Sequence, residues 1–330
     1  SDLLTFFLFF PRENLSYATT LVPTALFLSN AFFWLHTGYF SPGEDYPLLH
    51  TWSLGVEEQF YIFYPLLLIA SHKLCSSRAA PRLLFTAFFI SLCLSIFSIW
   101  HLRSSSFYLL PARFWELSLG GLLAMGFLPH VFSPLLRSLL GLVGAAFIIA
   151  GFLFLNEDIP YPGIAALIPS LGAALLLIAG MVDGSPVNTA LSLPPLRFIG
   201  LISYALYLWH WPLYIIAKAY LQRTPIFEEA LFVFILTFLF EAVSWRYAEF
   251  PIRSKHVLQN RNSLFQAAAF ATAATVAFGS ASFLSKGFLQ FYPENIQRTQ
   301  LEDPESYELL RNRCLLGARI GSHQIGRAHV

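Results

Sequence analysis

Charge is what this sequence has least of. Of 330 residues only 12% are Asp, Glu, Lys or Arg, about half the share of a soluble domain. The net charge of +1 offers no excess of either sign with which to hold nucleic acid or an acidic partner. Cysteine is scarce as well. Cys75, Cys93 and Cys314 lack metal-ligand spacing and are too few for a disulfide framework, so no metal site is expected. There is no Walker A sequence, no GxGxxG, no HExxH and no GxSxG, which leaves nucleotide-driven transport and α/β-hydrolase chemistry without support.

What is abundant is apolar surface. Hydrophobic residues make up 56% of the chain, and its 34 Phe are spread from end to end. Soluble chains of this length split into domains instead of thickening one core, so a lipid bilayer is the solvent that accounts for the composition. Membrane-length apolar runs fall at about 53–71, 83–101, 112–128, 137–155, 161–182, 197–220, 228–249 and 264–284, separated by turns rich in Pro, Ser, Asn or Asp. A crossing needs about 20 residues, and Leu3–Phe10 is too short for one. It reads as the end of a partial N-terminal helix. The run Leu15–Leu35, interrupted by Pro23 and Asn30, is less regular. The expected fold is an all-α integral membrane protein, a polytopic helical bundle of about eight full spans.

Loop charge sets direction. One set of alternate connections holds Lys73, Arg78, Arg82, Arg137, Arg197, Arg253, Lys255 and Arg261, and the other holds Arg103, Arg113, Lys218 and Arg223. The richer set is expected in the cytoplasm, with loop 36–52 and the tail after Leu284 on the far side. Ser1 is not a start methionine and no signal peptide is visible, so the sequence is expected to be a fragment. The last six residues, Ile325–Val330, resemble translated sequencing-adapter read-through and are left out of fold reasoning.

Ionisable residues inside apolar helices are costly and mark sites. The block His50-Thr51-Trp52-Ser53-Leu54-Gly55-Val56-Glu57-Glu58-Gln59-Phe60-Tyr61 sets two carboxylates at the mouth of a span. Glu57, Tyr61 and Tyr64 share a helical face at i, i+4, i+7, giving a polar stripe toward a cavity. An aromatic belt with interfacial anchors is the plainer reading, although anchors are seldom Glu-Glu. In Arg113-Phe114-Trp115-Glu116-Leu117-Ser118-Leu119-Gly120-Gly121, Arg113 and Glu116 can pair at i, i+3; a structural ion pair and a substrate contact both fit. Ser203, Tyr207 and His210 share a face in Ser203–Pro212, where Pro212 frees a backbone carbonyl. Glu241 lies deep in a run with no partner in its own helix, so it is either protonated or paired across the bundle. Arg246 and Glu249 can pair at i, i+3.

These blocks resemble the acyltransferase 3 family of integral membrane O-acyltransferases, which includes bacterial O-antigen and peptidoglycan O-acetylases. His50–Tyr61 is similar to the family's HTWSLxxEEQFY block, Arg113–Gly121 to RxxExxxG, Ser203–Pro212 to SYxLYLxHxP, and Tyr247–Pro251 to Y-x-E-x-P. The resemblance covers about residues 1–285 as the acyltransferase 3 transmembrane domain. It makes 286–324 an extracytoplasmic linker toward an SGNH-like domain. It implies eleven helices, with Leu15–Leu35 a re-entrant or surface hairpin.

The implied activity is transfer of an acyl group, commonly acetyl, from a cytoplasmic acyl-CoA to hydroxyls of a cell-surface glycan such as O-antigen, lipopolysaccharide or another polysaccharide, by a multi-pass protein of the bacterial inner membrane. No bound cofactor is implied; acetyl-CoA is a substrate. The family's basic residue and catalytic His of the first helix, and its Arg-rich motif before the third, are not found and are expected upstream of Ser1, so the fragment alone is expected to be inactive. Supporting catalytic roles then fall to Glu57, Glu58 and His50, and substrate contacts to Trp52, Ser53, Tyr61, Arg113, Glu116, Ser203, Tyr207 and His210. A transporter or flippase of a glycan or acyl intermediate is the rival, its carboxylates relaying protons. Each motif block occurs once, so no inverted repeat favours that rival.

Overall fold

A computed structural model describes residues 11–37, 46–74, 79–125, 133–156, 158–181, 184–221 and 223–292, together with 294 and 297. Leu3–Phe10, Cys75, Arg78, Cys314 and the 298–330 tail lie outside the described residues. No strand occurs among the described residues. The helices are α1 (Pro11–Ala25), α2 (Ser29–His36), α3 (Trp52–Leu74), α4 (Ala79–His101), α5 (Arg103–Tyr108), α6 (Leu110–Ala124), α7 (Pro134–Phe154), α8 (Leu167–Gly180), α9 (Pro186–Leu191), α10 (Pro194–Leu221), α11 (Phe227–Ser244), α12 (Phe250–Arg253) and α13 (Arg261–Leu284). A 3₁₀ turn, Leu49–Thr51, precedes α3, and a π-helical turn, Trp245–Glu249, joins α11 to α12.

Local sequence explains several helix starts. Ser133 caps α7 by accepting the Leu136 N–H, and Pro134 fills the first turn, where its missing N–H costs nothing. Pro111 plays the same part in α6. Among the described residues four helices are long and apolar enough to cross a bilayer: Pro81–His101 within α4, α7, α10 and α13. They make the chain a multi-pass membrane protein. The other four apolar runs give helices that fall short in length or hydropathy. The α3 helix has 23 residues but carries Glu57 and Glu58 near its start. The α6 helix stops after 15 residues and α8 has 14, whereas about 20 are needed at 1.5 Å rise each. The α11 helix has 18 before its geometry changes. Over Leu15–Leu35 the described chain forms α1 and α2, of 15 and 8 residues.

The described residues fold as two compact units. Those within 1–26, 43–50 and 202–330 form the first, and those within 27–42 and 51–201 the second. In the first unit α1 packs on α13, with Gly279 set against Leu21 and Val22; a Cβ there would come within 3.2 Å of Val22. Tyr17, Leu21 and Leu48 form its buried cluster, with Phe278 beside them. In the second unit α7 and α8 meet backbone to backbone. A Cβ on Gly144 would lie 2.9 Å from the Gly172 carbonyl, so small residues at both positions set the spacing. The α4 and α6 helices are stitched by Ser91, whose hydroxyl donates to the Pro111 carbonyl (2.6 Å) and accepts the Trp115 N–H (3.0 Å). Outward faces remain apolar, as at Phe152, which is 84% exposed, and as a lipid-facing helix requires.

Candidate functional site

In the first unit the site is built around Pro212, inside α10. Pro212 has no N–H for the Leu208 carbonyl one turn earlier. That carbonyl instead bears on the His50 imidazole. Two further side chains of the same face, Tyr207 and Trp211 at i, i+4, clamp the segment that carries His50. The Tyr207 hydroxyl donates to the His50 carbonyl, and the Trp211 indole N–H donates to the Tyr46 carbonyl at 2.9 Å. The rings of His50, Tyr207 and His210 then sit together, with centroids 5.3 Å (His50–Tyr207), 5.5 Å (His50–His210) and 5.3 Å (Tyr207–His210) apart.

The two imidazoles are electronically distinct. His50 is 7% exposed. Its burial, and then the neighbouring His210, hold its pKa far down, at about 3, against a weaker upward pull from the Leu208 carbonyl. It is therefore neutral at physiological pH and a poor proton acceptor, fit to orient a partner by hydrogen bonding more than to abstract a proton. The Nδ1 of His210 lies 3.2 Å from the Leu206 carbonyl. A carbonyl can only accept, so Nδ1 carries a proton in this contact. Ser203, expected on this face, is exposed, while Tyr207 and His210 are half-buried.

In the second unit Arg113 is the centre. It is 7% exposed and donates through one terminal nitrogen to both oxygens of Glu116 (3.1 and 3.0 Å) and through Nε to the Phe107 carbonyl (3.1 Å). Its guanidinium lies 5.1–5.2 Å from the ring centres of Trp52, Phe107 and Tyr161, a cation–π cage that compensates lost hydration. Trp52 itself stacks at a tilt on Phe107 (4.5 Å). Trp52, Arg113 and Glu116 are thus brought together.

The carboxylate pair is a separate group. Tyr61, 55% exposed, donates its hydroxyl to Glu57, as the i, i+4 spacing predicts. Ser53, Glu57 and Glu58 are half-buried in the first two turns of α3. Among the described residues no ion pair or hydrogen bond ties Glu57 or Glu58 to the Arg113 group. The third member of the expected stripe, Tyr64, turns to other work: it stacks on Phe60 (4.9 Å) and its hydroxyl lies where a side chain on Gly121 would be, 2.6 Å from an added Cβ.

Several residues of this region carry no signal strong enough to single them out in the sequence. Asn30, 1% exposed, exchanges amide hydrogen bonds with Gln59 (3.2 and 2.8 Å) and donates to the Tyr108 carbonyl (3.2 Å). Gly55 admits it, since a Cβ there would come within 2.9 Å of the Asn30 amide oxygen. The Ser29 hydroxyl donates to the Thr51 carbonyl at 2.8 Å. A polar pair inside an otherwise apolar run was the available hint.

The expected Arg246–Glu249 pair does not form. The π-helical turn over 245–249 widens the spiral, so i, i+3 no longer face each other. Glu249 pairs instead with Arg253 at 2.8 Å, and Arg246 lies over the Tyr247 ring. Among the described residues no cluster of His, Cys, Asp or Glu is arranged to hold a metal.

Residues 3–247 match a family described as an acyltransferase domain. Among curated proteins, the chain is 29% identical over 268 residues to "O-acetyltransferase OatA" of Staphylococcus aureus, covering 76% of this chain and 44% of that protein. It is 29% identical over 253 residues to "Putative peptidoglycan O-acetyltransferase YrhL" of Bacillus subtilis, covering 71% and 39%. The chain thus spans about two fifths of the length of these relatives. No solved structure matches it significantly.

Proposed function

Because the chain belongs to this acyltransferase family, we propose that it is the membrane domain of an O-acyltransferase that moves an acyl group, acetyl above all, from a cytoplasmic acyl-CoA to hydroxyls of a cell-surface glycan. The names of the relatives make peptidoglycan the first acceptor to test. A bacterial inner-membrane location, with the tail outside the cytoplasm, fits the loop-charge bias.

The observation that carries the reading is the His50–Tyr207–His210 cluster, two imidazoles and a phenol gathered beside Pro212 of α10. Ester formation from a thioester needs three things: removal of the hydroxyl proton, stabilisation of the tetrahedral oxyanion, and a proton for the leaving thiolate. The family resemblance gives the base to a first-helix histidine. In this chain His210 brings a second imidazole to the cluster, and His50 is placed to orient and not to titrate. Glu57 and Glu58 are the carboxylates we assign to positioning the acceptor or the base. The Arg113–Glu116 pair lines the second unit, and its bonds to Phe107 and to three rings favour a structural role there.

The test is glycan O-acetylation in cells carrying the intact gene, measured as alkali-released acetate. Glu57→Gln and Glu58→Gln are each expected to abolish it at unchanged protein level; wild-type acetate in both variants refutes the carboxylate assignment. Transfer of radiolabelled acetyl groups in vesicles separates this reading from a flippase, which moves substrate without acylating it.

A further inference from the structure

The connection between α11 and α13 gathers positive charge that the acyl-transfer reading does not use. Over 245–261 there are four cations, Arg246, Arg253, Lys255 and Arg261, and one carboxylate, Glu249. Glu249 is taken by Arg253 at 2.8 Å. Among the described residues no carboxylate pairs with Arg246, Lys255 or Arg261, and all three are exposed. Like charges gathered on one short connection repel one another, so the cluster attracts an anion from outside.

The segment is held in shape by its own backbone. The Pro251 carbonyl accepts from the His256 and Val257 N–H groups (3.0 and 3.2 Å), and the Lys255 N–H donates to the Ile252 carbonyl (3.1 Å). These bonds close a turn on which Lys255 is exposed. The guanidinium groups of Arg246 and Arg261 lie over the rings of Tyr247 (5.9 Å) and Phe265 (5.5 Å). A ring face leaves the N–H donors, which lie in the guanidinium plane, open to an acceptor.

What surrounds the cations identifies the anion. Tyr247 is 76% exposed, Ile252 42%, Val257 52% and Phe265 59%, so apolar surface is interspersed with charge. A soluble anion would leave that surface in water. A headgroup phosphate above acyl chains satisfies both, with basic side chains at the phosphate level and aromatic and aliphatic ones against the chains. The position agrees. Arg261 is the first residue of α13, a helix long and apolar enough to cross, so the connection lies at one membrane face. Lys and Arg clustered beside a span are the electrostatic complement of anionic lipid.

We propose that 245–261 is a binding surface for anionic phospholipid headgroups, with Arg246, Lys255 and Arg261 as the phosphate contacts. It concerns the lipid around the protein and is independent of which group the protein transfers.

The test counts lipids bound to the full chain by native mass spectrometry, from detergent micelles holding equal phosphatidylglycerol and phosphatidylcholine. Wild type is expected to carry phosphatidylglycerol in preference. Each basic residue near an anionic surface contributes about fivefold. The triple variant R246Q/K255Q/R261Q is therefore expected to lose the preference at least tenfold, with phosphatidylcholine binding and Tm unchanged. Lys255→Gln alone, which breaks no ion pair, should lose it about threefold to fivefold. Arg82→Gln removes an exposed cation outside the connection and should keep the preference. Equal binding of the two lipids by wild type, or an unchanged preference in the triple variant and in Lys255→Gln, overturns the proposal. So does a loss in Arg82→Gln equal to that in Lys255→Gln, which makes the effect one of net charge. Displacement of phosphatidylglycerol by inorganic phosphate at matched ionic strength overturns the lipid assignment and makes the patch a soluble-anion site.

Discussion

Replacing Arg113 by Met isolates what the caged ion pair contributes. The side chains of Arg113 and Glu116 are 9% and 21% exposed, so neither charge can be left to water at little cost. Loss of the guanidinium removes its bonds to Glu116, the Nε bond to the Phe107 carbonyl and the contact with three rings. Breaking a buried pair from one side costs about 3–5 kcal/mol, most of it from the orphaned charge. Glu116→Leu alone leaves the caged guanidinium without its carboxylate and is expected to cost about as much. The double variant R113M/E116L leaves no orphan, and apolar replacement of a buried pair is often neutral. It should therefore recover most of the loss, to within about 2 kcal/mol of wild type once the Phe107 bond and the cation–π contact are counted. The assay is apparent Tm of detergent-solubilised protein for wild type, both singles and the double, with the coupling taken from the cycle. A double variant no more stable than the worse single would refute the structural-pair reasoning. A double variant that regains stability but loses glycan acylation would return the pair to the substrate path.

Three other outcomes follow from the geometry. His50 has a folded pKa of about 3 against an ordinary 6.5, so the unfolded chain binds the extra proton in that window. Stability is expected to hold above about pH 6.5 and to fall toward pH 3, by up to about 1.4 kcal/mol per unit, and His50→Asn should flatten that acid limb in a thermal-shift titration. Gly121→Ala forces a Cβ to within 2.6 Å of the Tyr64 hydroxyl and 3.0 Å of its ring, which should cost about 1–3 kcal/mol; adding Tyr64→Leu should restore most of the Tm. The Asn30–Gln59 amide pair should show a double-mutant coupling of about 0.6–1.7 kcal/mol, the range for hydrogen bonds between membrane helices, and additive single losses would argue against the pair.

The sequence alone determined the solvent. A scarcity of charge and a surplus of apolar surface force a helical membrane protein, because lipid satisfies no backbone group. Short-range spacing also survived folding wherever the helix stayed regular: Glu57 with Tyr61, and Arg113 with Glu116, meet as their i, i+4 and i, i+3 intervals require. Hydropathy did less well on length. It marked eight runs, yet only four helices among the described residues are long and apolar enough to cross, since a run of apolar residues does not say where the hydrogen-bond ladder stops.

Other features needed the tertiary structure. The π turn that reassigns Glu249 from Arg246 to Arg253 depends on local backbone geometry, which residue spacing presumes to be regular. The Asn30–Gln59 pair and the clamp of Tyr207 and Trp211 on the segment before α3 join residues 29, 157 and 165 positions apart. Such contacts are selected by packing and by the need to satisfy buried polar groups, and no local pattern encodes them. The low pKa of His50 has the same origin: burial and the nearness of His210 set it, and both exist only once α10 has folded against the turn that carries His50.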